Sequence, residues 1–164
     1  MSKNDYIINL YFDYLPYFYD GSLSISELEL DKDYRVLAQE LHSSKSNIIS
    51  KINYYRNKGI PPVHLSNELK NIDYKYQEYF AWAGLQIFYK NNKDTFFNGI
   101  NSIDLHGLYS TEAIAILKVI FTIKKGSIKI ITGRGKGILF NITERFLIKQ
   151  SIKYTLSNNC FLIK

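Results

Sequence analysis

The chain has 164 residues, enough for one ordinary domain or two small ones. A hydrophobic share of 46% and a charged share of 22% exclude a disordered tail as the main description, and the single cysteine, Cys160, excludes a disulfide scaffold. The net charge of +6 is unevenly distributed: residues 1–98 carry 11 basic against 12 acidic side chains, whereas residues 99–164 carry 10 against 3. Excess positive charge in the last two-fifths of a chain points to a polyanion partner, nucleic acid being the commonest; a lysine-rich solvated face is the alternative. The longest apolar-rich run, Ala113 to Ile123, is broken by Lys118 and is too short to span a bilayer, so no membrane partner is expected. Met1 to Asp5 lacks the basic-then-apolar pattern of a signal peptide, so the expected compartment is a reducing one, the cytoplasm, with the nucleus as the alternative.

Residues 1–32 form an aromatic arm, with Tyr6, Tyr11, Phe12, Tyr14, Tyr17, Phe18 and Tyr19. Pro16 and Asp20-Gly21 act as breakers, and Asn4 to Leu15 can form a short helix. Left free, such an arm would expose a large apolar patch, so packing on the body is preferred to capture of a partner. The 14 tyrosines and 10 phenylalanines accompany heavy use of Ile, Asn and Lys. Nucleotide bias explains much of that, so aromatic richness is not read as a functional signal.

Residues 33–92 read as a helical hairpin. Tyr34, Leu37, Leu41, Ile48, Ile52 and Tyr55 recur at helical spacing, interrupted only by Lys45, and Asp31 or Asp33 can cap the start. Gly59 and Pro61-Pro62 form the turn. The second helix carries Leu65, Leu69, Ile72, Tyr76, Tyr79, Ala83 and Ile87 to about Lys90, and Asn91-Asn92 close it. The two stripes are expected to bury on each other. Residues 93–101 read as a linker.

From residue 102 the pattern changes to short strands and helices. Strands are predicted at Ser102–His106, Ser127–Thr132, Ile152–Leu156 and Cys160–Ile163, the last two joined by a Ser157-Asn158-Asn159 turn. Helices are predicted after Ser110, as N-cap with Glu112 favourable in the first turn, and over Leu139–Gln150. The expected fold class is therefore α+β: an N-terminal helical hairpin, then a β-α-β-α-β-β two-layer sandwich with a mixed sheet over residues 102–164.

Two motifs carry chemistry. In Ile103-Asp104-Leu105-His106-Gly107, strand alternation sends Ile103 and Leu105 into the core, and Asp104 and His106 together to the other side. A carboxylate beside an imidazole orients the ring for proton transfer, and Gly107 leaves room for a substrate backbone. The bland alternative is a surface Asp and His at a strand end. In Thr132-Gly133-Arg134-Gly135-Lys136-Gly137, glycines let successive N–H groups converge on an anion, the following helix adds its positive pole, and Arg134 and Lys136 add full charges. The alternative there is a tight turn that simply needs glycine. It is neither a Walker A loop nor a dinucleotide fingerprint. Lys129, opposite in facing to Ile128 and Ile130, extends the cationic surface, and Arg145, Lys149 and Lys153 can add to it. No Cys/His cluster offers a zinc site, and no cofactor is expected. A lone carboxylate–imidazole pair is a poor magnesium site without a substrate phosphate, which leaves divalent-metal dependence open. His42 and His64 read as surface or core side chains, Cys160 as a buried small apolar residue, and Trp82 as packing.

In order and spacing the two motifs resemble the Smr (small MutS-related) domain, which carries L-D-x-H-G on its first strand and T-G-x-G after its second. Here they stand as Ile103-Asp104-Leu105-His106-Gly107-Leu108 and Thr132-Gly133-Arg134-Gly135, with Glu112-Ala113 matching on the intervening helix. Residues 33–92 resemble the helical extension, a domain of unknown function, that precedes eukaryotic Smr domains, through Leu65-Ser66, Lys70, Ile87-Phe88 and Asn91-Asn92. The resemblance covers residues 33–164; residues 1–32 have no counterpart in it. It implies a sandwich like the C-terminal domain of the third bacterial translation initiation factor, nucleic-acid binding, and in several members endonuclease activity on RNA or nicking of DNA. Eukaryotic relatives with the extension are linked to messenger RNA surveillance on stalled ribosomes. By position, Asp104 and His106 would be the catalytic pair, and Gly133, Arg134 and Gly135 would hold the phosphate backbone; Gly107, Lys136 and Lys129 are phosphate-binding candidates on their own chemistry and not through the resemblance. One departure is plain: the family's glycine loop often continues His-Ser, and this chain has Lys136-Gly137. Loss of that second imidazole weighs on catalysis more than on binding. The expected function is an endonuclease with RNA preferred over DNA; the rivals are a non-catalytic RNA- or ribosome-binding module and a purely structural helical adaptor.

Overall fold

The computed structural model describes residues 3–20, 32–124, 126–133 and 137–164. Among these the chain forms five α-helices and one four-stranded mixed sheet: α1 (Lys3–Asp20), α2 (Tyr34–Asn57), α3 (Val63–Asn92), β1 (Ser102–Asp104), α4 (Ser110–Ile123), β2 (Ile128–Ile131), α5 (Ile138–Lys149), β3 (Thr155–Ser157) and β4 (Cys160–Ile163). From β1 onward the order is the expected β-α-β-α-β-β. No described helix is long and apolar enough to cross a membrane.

The sheet order is β1-β2-β4-β3. β1 and β2 are parallel, with Ile103 opposite Ile130 and Asp104 opposite Ile131, while β4 runs antiparallel to β2 and to β3. Alternation assigns the two faces. Ile103, Ile128, Ile130, Phe161 and Ile163 are buried in one core with Ala113, Ile116, Leu117 and Ile120 of α4 and Phe140, Phe146 and Leu147 of α5. Lys129 is exposed on the other face, between Ser102 and Leu162. The β3–β4 turn puts Asn158 and Asn159 at φ of 51° and 60°, values that asparagine tolerates better than most residues.

α2 and α3 pack on each other, with Tyr34, Ile48 and Ile52 of the expected stripe buried, Leu37 and Leu41 half-buried, Tyr55 exposed, and Ala38 buried beside them. Asp33 caps α2, its Oδ1 accepting the N–H groups of Arg35 and Val36 at 3.1 Å each. Lys45, the one polar break in the α2 stripe, is answered across the pair by Asp73 of α3. The carboxyl-terminal half of α3, however, is buried beyond a single stripe: Phe80, Ala81, Ala83, Gly84, Leu85, Phe88 and Asn92 are all covered. The extra cover comes from α1. Its Ile7, Leu10, Tyr11 and Leu15 are buried, Tyr14 lies 4.8 Å from Trp82 ring to ring, and α1 packs on both α3 and α4. The aromatic arm thus packs on the body as far as it is described; residues 21–31 lie outside the described residues. In the stretch read as a linker, a short 3-10 helix (Phe96–Asn98) sends Phe96 into the core beside Phe88.

Several expectations need correction. Pro16 does not break α1, which runs on to Asp20. The third strand is Thr155–Ser157, not Ile152–Leu156, and Ser157 pairs with Cys160 and so belongs to the strand, not to the turn. The N-cap of α4 is Tyr109, and Ser110 is the first helical residue. The Tyr109 N–H is satisfied by Glu112, whose Oε2 accepts it at 2.9 Å, so a serine hydroxyl is not needed there. Cys160 is half-buried, its Sγ directed at the Asn158 carbonyl 3.7 Å away, because it lies on the sheet face that the helices leave uncovered.

One polar cluster lies inside the helical layer. Glu112 of α4, fully buried, is gripped by the Arg35 guanidinium of α2 through two bonds, Nη1–Oε1 at 2.7 Å and Nη2–Oε2 at 2.9 Å. The guanidinium also lies 4.3 Å from the Tyr109 ring centroid, and Tyr109 stacks on Phe80 at 5.5 Å with only 7° between the planes. Burial works against the Arg35 charge, but the bonds to Glu112 outweigh it and leave the guanidinium held above its usual range. Tyr11 is pushed well above the ordinary tyrosine value by burial and then by Glu112. A Cβ at position 84 would collide with the Tyr11 hydroxyl, so Gly84 is what lets α1 approach α3 here.

Candidate active site

Parallel pairing puts the carboxyl ends of β1 and β2 side by side, and both sequence motifs lie there. β1 is shorter than alternation suggests, ending at Asp104. Leu105 still donates its N–H to the Ile131 carbonyl at 2.8 Å, and the chain then turns at His106-Gly107. Gly107 has φ of +79°, a left-handed conformation that a Cβ would strain. Thus the turn, and not a continuing strand, brings the imidazole back to the carboxylate.

Asp104 holds His106 at two points. Its Oδ1 accepts the His106 backbone N–H at 3.0 Å, and its Oδ2 lies 2.9 Å from the imidazole Nδ1. With Nδ1 committed as donor to the carboxylate, Nε2 is the nitrogen left to meet a substrate. The imidazole is 58% exposed and the carboxylate 27%, so the couple is open to a ligand with the acid partly screened from water.

The couple is held from behind by α3. Asn92, fully buried, reads both polar groups of the Asp104 peptide: its Oδ1 accepts the Asp104 N–H at 2.6 Å, and its Nδ2 donates to the Asp104 carbonyl at 2.9 Å. The same Nδ2 lies 2.7 Å from the Phe88 carbonyl. Asn91 donates to the His106 carbonyl at 2.8 Å. Sequence inspection treats this Asn-Asn pair as a helix terminator. Its positioning role becomes visible only once the helix end is seen against the strand, although two adjacent amides ahead of an Asp-x-His motif were a usable signal.

The second motif arrives where expected as far as it is described. Gly133, at φ of +103°, adjoins His106: a Cβ built on it would lie 3.6 Å from the His106 Cβ. Thr132 before it is buried, its hydroxyl without a hydrogen-bond partner among the described residues. Gly137 is the N-cap of α5. Arg134, Gly135 and Lys136 lie outside the described residues. Lys129 does not join the couple. It pairs with Ser102 at the other end of β1, roughly 7 Å along the strand from the residue opposite Asp104. Arg145, Lys149 and Lys153 are exposed, as are His42 and His64, and Trp82 packs against the core. Among the described residues no group of three or more His, Cys, Asp and Glu side chains could hold a metal ion.

Comparison with protein-family models, with curated proteins and with solved structures found no match to this chain.

The asparagine pair makes a testable distinction. Asn92→Ala leaves both polar groups of the Asp104 peptide without their amide partner, and is expected to cost about 2–3 kcal/mol in a denaturant melt. Asn91→Ala breaks a more exposed bond and is expected to cost under about 1 kcal/mol. If RNA cleavage is present, Asn91→Ala should nevertheless slow it about tenfold by loosening the turn that carries the imidazole.

Proposed function

We propose that this chain is a nucleic-acid-binding protein of the Smr kind that cuts RNA at the Asp104–His106 couple. The observation that carries the proposal is the 2.9 Å contact between an exposed imidazole and a carboxylate, immediately beside the first glycine of a basic loop. Proton transfer and phosphate binding are the two operations that phosphodiester cleavage needs, and here their candidate residues adjoin. A solvated strand end would not require one carboxylate to hold both the backbone and the ring of the histidine.

In this mechanism the attacking hydroxyl gives its proton to His106 Nε2 as its oxygen bonds to phosphorus. Asp104 keeps the ring oriented and offsets its positive charge. The phosphorus–oxygen bond to the departing group then breaks, and the released oxygen takes a proton from water or from the ring. Loop N–H groups from Gly133 onward, the α5 amino terminus, Arg134 and Lys136 stabilise the charge on the phosphate. RNA is preferred to DNA because the resemblance favours it, and a role in messenger RNA surveillance on ribosomes follows from the same source. The partners are then RNA and the ribosome, and the compartment is the cytoplasm or nucleus.

The second reading is a non-catalytic RNA- or ribosome-binding module, favoured by Lys136-Gly137 standing where the family often has His-Ser. Incubating a structured RNA with the wild-type chain decides between them. Site-specific cleavage with salt-sensitive binding supports the enzyme; binding without cleavage supports the module; no binding refutes both.

A further inference from the structure

The fold builds a second cationic feature that the motif does not include. A groove of about 620 Å³ runs between the start of α2 and the last turns of α3, walled by Lys32, Arg35, Gln86, Ile87, Lys90 and Lys93. That volume is in the range of cavities that take small ligands, about 300–1,000 Å³. Positions 83, 86 and 90 of α3, continued by its C-cap Lys93, form one face, and positions 87 and 91 form the face next to it. The latter pair borders the catalytic turn: a Cβ on Gly107 would lie 3.6 Å from Ile87, and Asn91 bonds the His106 carbonyl. Ile87 therefore belongs to both the groove wall and the border of the turn.

The walls are fixed. Gln86 donates to the Lys32 carbonyl at 2.8 Å and lies 3.4 Å from the Tyr34 N–H, which ties the α2 entry to α3. Among the described lining residues, basic side chains outnumber acidic ones. Asp33 is the acidic lining residue, and its Oδ1 is already engaged as the α2 cap. The Arg35 charge is matched by Glu112. Lys90 and Lys93 are exposed, and neither is in an ion pair among the described residues.

We infer that this groove carries the phosphate backbone of a single-stranded nucleic acid as it leaves the Asp104–His106 couple on the side away from the glycine loop. Lys90 and Lys93 neutralise its phosphates. The helical hairpin is then part of the nucleic-acid track and not an appended adaptor, even though residues 1–98 have no net positive charge. This inference rests on the nucleic-acid reading of the couple and extends it to a second contact region.

The test uses the full chain and a labelled single-stranded RNA oligonucleotide, with dissociation constants measured by fluorescence anisotropy from about 0.05 to 0.3 M salt. Lys90→Glu/Lys93→Glu should weaken binding at least tenfold at 0.1 M salt. It should also reduce the log–log salt slope by about 1.4, the loss of two phosphate contacts on a single strand. Lys51→Glu/Lys58→Glu, the same charge change at the far end of α2, should weaken it less than threefold. Equal losses from both pairs would reduce the effect to net charge and overturn the groove. No loss from the groove pair, with Lys136→Glu still weakening binding, would overturn the groove while sparing the site. A wild type that binds no RNA would instead remove the functional reading beneath it.

Discussion

His106→Ala is expected to cut the RNA cleavage rate about a thousandfold while changing RNA affinity less than threefold. The size follows from the contribution of a positioned general base, about 10²–10⁴. The split between rate and affinity follows from geometry: the imidazole is bound to the protein through Asp104, and the phosphate is assigned to the glycine loop and the lysines. Asp104→Asn should lose less, about a hundredfold, because the amide can still hold the ring but with the wrong tautomer preference. Gel-resolved cleavage and anisotropy on the same preparations give both quantities. A His106→Ala protein that cuts as fast as wild type would remove His106 from the chemistry.

The second large effect concerns stability. Glu112→Ala should lower the unfolding free energy by about 3–5 kcal/mol, because it strands the half-buried Arg35 charge in the helical layer and removes the acceptor for the Tyr109 N–H. For a chain of this length that corresponds to a fall in melting temperature of about 10 °C. Arg35→Ala should cost a similar amount by stranding Glu112. The pair replaced together by well-packed apolar residues should cost clearly less than the sum of the singles. Singles that cost under 1 kcal/mol would mean that the two bonds at 2.7 and 2.9 Å do not tie α2 to α4.

The β-α-β-α-β-β order was legible because most elements carry their own period; β3, exposed along its whole length, does not, and it lies at Thr155–Ser157 rather than Ile152–Leu156. Ile128, Ile130, Phe161 and Ile163 alternate, and Ala113, Ile116, Leu117 and Ile120 repeat as on one helix face. The two motifs were legible for a related reason, since both sit where a strand gives way to glycine. What local pattern does not encode is contact between distant elements. Arg35 and Glu112 are 77 residues apart, and nothing near either one announces the other. The depth of α3 was hidden because its second apolar side meets α1, whose aromatics follow no clean period. Asn91 and Asn92 looked like a helix end because asparagine commonly ends helices; their use as a brace depends on β1 lying beneath them.

Most direct is a two-dimensional amide NMR titration of the full chain with a single-stranded RNA oligonucleotide. Binding at the strand tips should shift the backbone signals of Asp104–Gly107, Gly133 and Gly137 first and furthest, with Lys90–Lys93 following, and leave the β3–β4 turn at Asn158-Asn159 unmoved. Shifts centred on that turn or on the hairpin's far end near Gly59, with Asp104–Gly107 silent, would contradict a nucleotide chain seated on the acid–imidazole couple.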